Sequence, residues 1–434
     1  MLTYRQPGLV ITDHTFSVPL DHAGPDGEQI EVFAREVAAA GKAAADPGLP
    51  WLLFFQGGPG FGAPRPLGPD GWLERALASY RVLLLDQRGT GRSTPANRQT
   101  LARLGTPRAQ ADYLAHFRAD SIVRDAELIR GRLTGGEPWS VLGQSFGGFC
   151  TVSYLSLAPA GLREVFITGG LPGLTATAGD VYRLTYPQVA AKNRAHYERY
   201  PQDVQRAVQV ARHLDGAAAA GGGVRLPGGG LLTVAAFQSL GRLLGASTGS
   251  ATLHYLLEDA LAAGELSDSF LHEVQAHLSF APAPLYALLH EACYAQGGAT
   301  EWAAQRVRAE FAEFDPSAAL GGDAPLFFTG EMIYPWMLGA DPVLAPLRAA
   351  AELLASRDGW PALYDAGQLA AAGVPGAAAV YFHDMYVPAE LSLATAAAIT
   401  GLRTWVTSEY EHDGLRVSNG RVLGHLLDLA QGRA

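Results

Sequence analysis

Three short apolar runs, each broken by glycines, constrain this chain more than any other feature. They are "LPWLLFFQGGPG" (49–60), "YRVLLLDQRGTGRS" (80–93) and "PWSVLGQSFGG" (138–148). Apolar runs of this length suit strands buried on both faces of a parallel sheet. Between the second and third, "ADYLAHFRADSIVRDAELIRGRL" (111–133) carries apolar residues at helical spacing. After the third, "SFGGFCTVSYLSLAP" reads as a helix stopped near Pro159, and "LREVFITGGLP" (162–172) as the next strand. Strand and helix in alternation imply a parallel sheet with crossover helices. Upstream, "HTFSVPLDH" and "QIEVFAREV" alternate apolar and polar residues around the turn-rich "AGPDGE", as a hairpin does.

Beyond Pro172 the pattern changes. From about Tyr182 to Arg357 helical spacing dominates, in "YPQDVQRAVQVARHL", "LLTVAAFQSLGRLLG", "ATLHYLLEDALAAG" and "TEWAAQRVRAEFAEF". The Gly/Ala-rich "DGAAAAGGGVRLPGGG" (215–230) interrupts it and reads as a loop or small hairpin. Strand-like runs return at "AAAVYFHDMYVP" (377–388) and "GLRTWVTSEYEHDG" (401–414), and "NGRVLGHLLDLAQGRA" closes as a helix. The expected organisation is one α/β unit split by a helical insertion: residues 1–175, an insertion at 176–358, and 359–434.

Composition narrows the class. With 434 residues, 48% hydrophobic and 17% charged, the chain is globular. A net charge of −10 argues against a nucleic-acid partner. No run of eighteen apolar residues is present, so no membrane partner is expected. Two cysteines, Cys150 and Cys293, make no disulfide framework, and with no signal-like N-terminus the expected location is cytoplasmic.

The chemistry centres on "LGQSFGG" (142–148). A serine between Gly143 and Gly147, where a strand meets a helix, is either a plain Gly-rich turn or a nucleophile on a sharp one. Small neighbours let the backbone bend tightly enough to push a hydroxyl out above the sheet. Placement between an apolar strand and a helix makes Ser145 the leading nucleophile. A serine needs a base, and the base an orienting carboxylate. In the α/β-hydrolase arrangement these follow in the order serine, acid, histidine, on loops after late strands. His412 in "YEHDGLR" stands beyond an apolar run and before the last helix, and Asp384 ends the preceding strand-like run. His383, His425 and Asp413 are weaker alternatives. Gly57 and Gly58 in "FFQGGPGFG", with Phe146, are placed to give backbone N–H groups to an oxyanion, although a plain Gly-Gly-Pro-Gly turn fits the same residues. "DQRGTGRS" lacks the Gly-Lys-Ser/Thr ending of a phosphate loop, so Arg88 and Arg92 are read as braces at the sheet's upper edge.

Together Gly57–Gly60, Asp86–Ser93, Gly143–Gly148, "GEMIYPWM" (330–337), Asp384 and "EHDGLR" (411–416) resemble the motifs of the proline iminopeptidases, in the family's order and over most of the chain. The insertion is similar to that of the family's larger form. Gln56 stands where relatives often have His, and Phe146 where shorter members carry Trp. The resemblance implies an α/β-hydrolase fold, with a mostly parallel central sheet. A helical cap enters after the strand that follows the nucleophile helix. It implies a serine aminopeptidase that releases N-terminal proline from peptides through an acyl-enzyme, with no metal or cofactor. A carboxylic-ester hydrolase with the same triad, or a binding protein on the same scaffold, are the alternatives. Such an aminopeptidase needs an anion for the substrate's ammonium. Glu331 is the first candidate, Glu291 the second and Glu258 the third; Phe146, Phe149, Tyr334 and Trp336 are candidate pocket walls. Each glutamate has a plainer reading as a solvated or helix-paired side chain, and each aromatic as core.

Overall fold

The computed structural model describes residues 2–41 and 48–434. Nine strands form its main sheet: β1 (Leu2–Gln6), β2 (Leu9–Pro19), β3 (Gln29–Ala39), β4 (Trp51–Phe55), β5 (Arg81–Leu85), β6 (Trp139–Gln144), β7 (Leu162–Thr168), β8 (Gly376–Tyr381) and β9 (Leu402–Thr407). Their order across the sheet is β1-β2-β3-β5-β4-β6-β7-β8-β9. The first three are antiparallel, and β3 meets β5 antiparallel. From β5 to β9 every pairing is parallel.

The apolar runs are continuous because both faces of these strands are covered. On β4, Leu53 and Phe55 point into one core with Val141, Val165 and Val380. Leu52 and Phe54 point into another with Leu142, Phe166 and Ala379. This is the two-residue period of a strand sandwiched between helical layers. Ile122, Val123, Ala126 and Ile129, from the helix Ala119–Thr134, cover the first face together with the helix Phe146–Leu157. The helices Gly71–Leu77 and Arg421–Ala430 cover the second.

Arg88 lies fully buried, bidentate to Asp125 at 2.7 and 2.6 Å, and donates to the carbonyls of Pro19, Leu20 and His116. Arg92 reaches Asp13 at 2.9 Å, so "DQRGTGRS" ties the hairpin β2–β3 to the parallel strands. Asp86 adds Arg65 and the Ala63 and Arg92 amides to that network.

The chain leaves the sheet after β7 and returns at β8. Between them a third apolar core forms around Tyr182, Tyr186, Val189, Phe237, Phe270 and Phe328. The intervening chain is not separate throughout, because Leu285, Tyr286, Leu289, Leu347 and Leu354 pack with the sheet's own core.

Several elements differ from their sequence reading. The helix expected over 111–133 is two, Pro107–Leu114 and Ala119–Thr134. The break presents Arg118, whose buried guanidinium donates to the Ala295 and Pro361 carbonyls and lies over the Trp360 ring. "TEWAAQRVRAEFAEF" keeps only Ala303–Arg308 as α-helix, since Glu301 and Trp302 are left-handed with φ of 50° and 55°. "ATLHYLLEDALAAG" is helical to Glu258 and then enters a two-stranded hairpin through Ala263 and Gly264. The "DGAAAAGGGVRLPGGG" stretch is helical to Ala219, then forms a hairpin pairing Val224–Arg225 with Leu231–Leu232. The helical region expected from about Tyr182 opens four residues earlier with a 22-residue helix, Ala178–Arg199, which carries Pro187 inside it.

Candidate active site

Ser145 sits between the end of β6 and the helix Phe146–Leu157 with φ 55° and ψ −125°. That is a backbone region side-chain-bearing residues rarely occupy, and such outliers concentrate at functional turns. The turn is over-determined. Ser145 N–H donates to Thr168 O at 3.0 Å, and Gly148 N–H donates to Ser145 O at 2.7 Å. A methyl on Gly147 would strike the Phe55 carbonyl, and one on Gly143 would strike Gly147 O and Thr151 Oγ1. Only hydrogen fits at either position, so the glycines let the helix start hard against β4 and β6.

The first loop of the parallel sheet closes over the serine. A Cβ on Gly57 would lie 2.9 Å from Ser145 Cβ and 2.8 Å from Gln144 Oε1. Gln87 Nε2 donates to Gln56 O at 3.0 Å and fixes the loop from the neighbouring strand. Phe146 is the first residue of its helix, where backbone N–H groups lack intrahelical acceptors. Gly57 and Phe146 thus flank the hydroxyl-bearing turn, and Gly58 follows Gly57 against Gly60 and Phe61.

Asp384 follows β8 and His412 follows β9. His412 Nδ1 donates to Asp384 Oδ2 at 2.6 Å, and both are buried. The other Asp384 oxygen accepts the Tyr386 and Val387 amides at 2.8 and 3.1 Å, so the carboxylate cannot turn away. Burial works against a charged imidazole. The charge and hydrogen bond of Asp384, joined by the charge of Glu331, outweigh it and hold His412 above the usual histidine value. Gly169 and Gly170, just past β7, separate this pair from the serine. A Cβ on Gly169 would lie 3.2 Å from His412 Nδ1, and one on Gly170 would strike Ser145 O. Ser145, Asp384 and His412 therefore converge at the C-terminal edge of β6 to β9. His383 is a neighbour of Phe382 instead, and His425 packs on Trp405.

The three glutamates are placed very differently. Glu331 accepts a short hydrogen bond from the Tyr286 hydroxyl. Tyr286 belongs to the helix Pro284–Leu289, which rests on the glycine loop: a Cβ on Gly60 would lie 2.7 Å from Tyr286 N. Glu331 is thus held near the glycine loop, and its charge favours protonation of His412. Glu291 is buried and accepts the Ala303 and Ala304 amides at 3.0 and 2.9 Å, capping a helix. Burial raises its carboxyl above the usual range despite those donors. Glu258 is exposed and stands 3.7 Å from Arg206.

Among the aromatics, Phe146 packs on Phe149, and Phe149 on Tyr294. Tyr334 lies in the insertion's core with its hydroxyl 2.9 Å from that of Tyr186, and Trp336 stacks on it. Trp336 also lines the cavity formed with Leu226, Leu278, Phe280 and Val343. Sequence reasoning missed Tyr286 and Tyr386, whose ring packs on His412 at 4.8 Å between centroids. An aromatic residue in an apolar segment carries no signal separating it from core. Among the described residues no group of three or more His, Cys, Asp or Glu is arranged to hold a metal ion.

Residues 50–221 match a family model described as alpha/beta hydrolase fold. The chain is 50% identical over 429 residues to a proline iminopeptidase of Aeromonas sobria, covering 99% of this chain and 98% of the relative. It is 36% identical over 428 residues to a proline iminopeptidase of Aspergillus aculeatus, covering 96% and 93%. Set beside a buried Asp–His pair at the edge of a parallel sheet and a serine on a strained strand-to-helix turn, these matches show that the chain is a hydrolase of the proline iminopeptidase family, with the α/β-hydrolase fold.

Proposed function

We propose that this chain is a serine aminopeptidase that releases N-terminal proline from peptides. The buried Asp384–His412 pair, reached from the Ser145 turn through Gly169 and Gly170, is the observation that carries the reading. In the mechanism, Ser145 Oγ attacks the prolyl carbonyl while His412 Nε2 takes its proton, and Asp384 fixes the imidazole tautomer. Backbone N–H groups of Phe146 and of Gly57 or Gly58 stabilise the developing oxyanion. His412 then returns the proton to the leaving amine, and water, activated by the same imidazole, releases proline from the acyl-enzyme. Tyr286 occupies one oxygen of Glu331 and leaves the other to the substrate's ammonium, whose burial unpaired is very costly. Glu291 and Glu258 fit that role less well, because one caps a helix and the other stands in solvent.

Residues 176–358 are the cap domain in this reading, between hydrolase segments 1–175 and 359–434. Two buried free cysteines support a reducing, cytoplasmic setting. The test compares a prolyl chromogenic amide, its N-acetylated form and a short acyl ester. The free prolyl amide is expected to be cleaved best and the acetylated one not at all. Efficient cleavage of the acetylated amide, or of the ester alone, overturns the aminopeptidase reading in favour of an ester hydrolase.

A further inference from the structure

One segment of the insertion, Arg242–Ser247, touches each late loop of the site. The Gly245 carbonyl accepts the His412 amide at 3.2 Å. The Arg242 carbonyl accepts the Tyr386 hydroxyl, and a Cβ on Gly245 would strike the Tyr386 ring, the ring that packs on His412. Ser247 donates its hydroxyl to Asp413 Oδ1 at 2.6 Å and its amide to the same carboxylate at 3.1 and 3.2 Å. On the other side of His412, Lys192 from the helix Ala178–Arg199 holds Glu411 at 2.5 Å. The segment is itself anchored in the insertion, where the Arg242 guanidinium donates to His277 O at 2.8 Å.

Asp413 is the informative member. It stands at the N-terminus of the short helix Gly414–Val417, where an aspartate ordinarily accepts its own helix's amides, yet its side chain makes no such cap. The carboxylate crosses to Ser247, 166 positions away in the chain. The carboxylate is buried while Ser247 lies at the exposed rim, so solvent reaches this charged hydrogen bond from the serine's side only.

We propose that Ser247 and Asp413 are positioning residues for the catalytic base: the pair fixes the loop that carries His412, so the base is aligned only while this part of the insertion is seated. The inference rests on the triad assignment above, not on the identity of the amino acid released. It accounts for a carboxylate adjacent to His412 that the Asp384 pairing leaves unused.

The experiment measures Ser247→Ala, Ser247→Thr and Asp413→Asn in the full chain, with melting temperature recorded for each. Steady-state kinetics use a prolyl chromogenic amide, and Ser145 reactivity is read as the rate of labelling by a serine-directed phosphonate. Loss of the hydroxyl is expected to lower kcat about ten- to a hundredfold, with KM changed less than about threefold. The labelling rate falls in parallel, and Ser247→Thr restores both. Asp413→Asn, which preserves volume, reproduces the loss if Ser247→Ala does not fold. Unchanged kcat and labelling in the folded variants overturn the proposal. So does a rise in KM alone, or a loss that follows melting temperature without rescue by threonine. If the parent labels with phosphonate but does not cleave the prolyl amide, the substrate reading fails, and the labelling rates still decide the positioning role.

Discussion

At the scale of single residues, two charges on His412 carry most of the chemistry. Asp384 and Glu331 both raise its affinity for a proton, and burial opposes them. In the proposed mechanism the base is neutral imidazole, so activity is lost as pH falls through the raised value. The acid limb of the rate profile is therefore expected above the ordinary histidine midpoint of about 6.5. Removing the Glu331 charge removes one of the raising influences. Glu331→Gln should shift the acid limb to lower pH, read with the phosphonate so that substrate ammonium plays no part. The same variant should lower kcat/KM for a free prolyl amide about ten- to a hundredfold, the worth of a charged hydrogen bond. An unshifted limb with parent-like efficiency would remove Glu331 from both roles. The proposed Ser145, Asp384 and His412 stand out in the sequence as candidates because each closes an apolar run or sits in a compact motif, whereas Glu331 is a candidate only through the family resemblance. The Ser247–Asp413 pair was not legible, since its halves lie in segments that only the tertiary fold brings together. Asp413 by itself reads as a turn residue.

Among elements, the crossing of the helix Phe146–Leu157 over β4 and β6 is a tight joint. Helix and strands meet at hydrogen-only positions, and Gly147 faces the Phe55 carbonyl directly. Backbone cannot give way as a flexible side chain can. Gly147→Ala is expected to cost at least about 2 kcal/mol of stability, at the heavy end of overpacking effects. Thermal unfolding measures it, and a melting temperature within a degree of the parent would contradict the close approach. The parallel strands were legible for the same reason that this joint is tight: continuous apolar runs arise only when helices press on both faces. The helices of the insertion were less so. Ala178–Arg199 contains a proline, and Glu301–Trp302 adopts a left-handed turn that ends one helical pattern before it begins. Local periodicity records neither a proline tolerated inside a helix nor a left-handed backbone turn.

For the molecule as a whole, the order of strands in space is not their order in time. β7 pairs with β8 across roughly two hundred intervening residues, and both Asp384 and His412 follow later still. This long excursion has a core of its own, and no helix among the described residues is long and apolar enough to cross a membrane. During synthesis, β7 is the open margin of the sheet until β8 emerges. An uncovered margin of unpaired N–H and C=O groups templates association with other chains. A chain ending at Pro375 is therefore expected to collect in aggregates and to show no phosphonate labelling at Ser145. Sedimentation and labelling would reveal it, and a soluble, labelled fragment would contradict it. Translation thus acts as a timer: the hydrolytic centre cannot be assembled in a nascent chain before nearly all of that chain has been made.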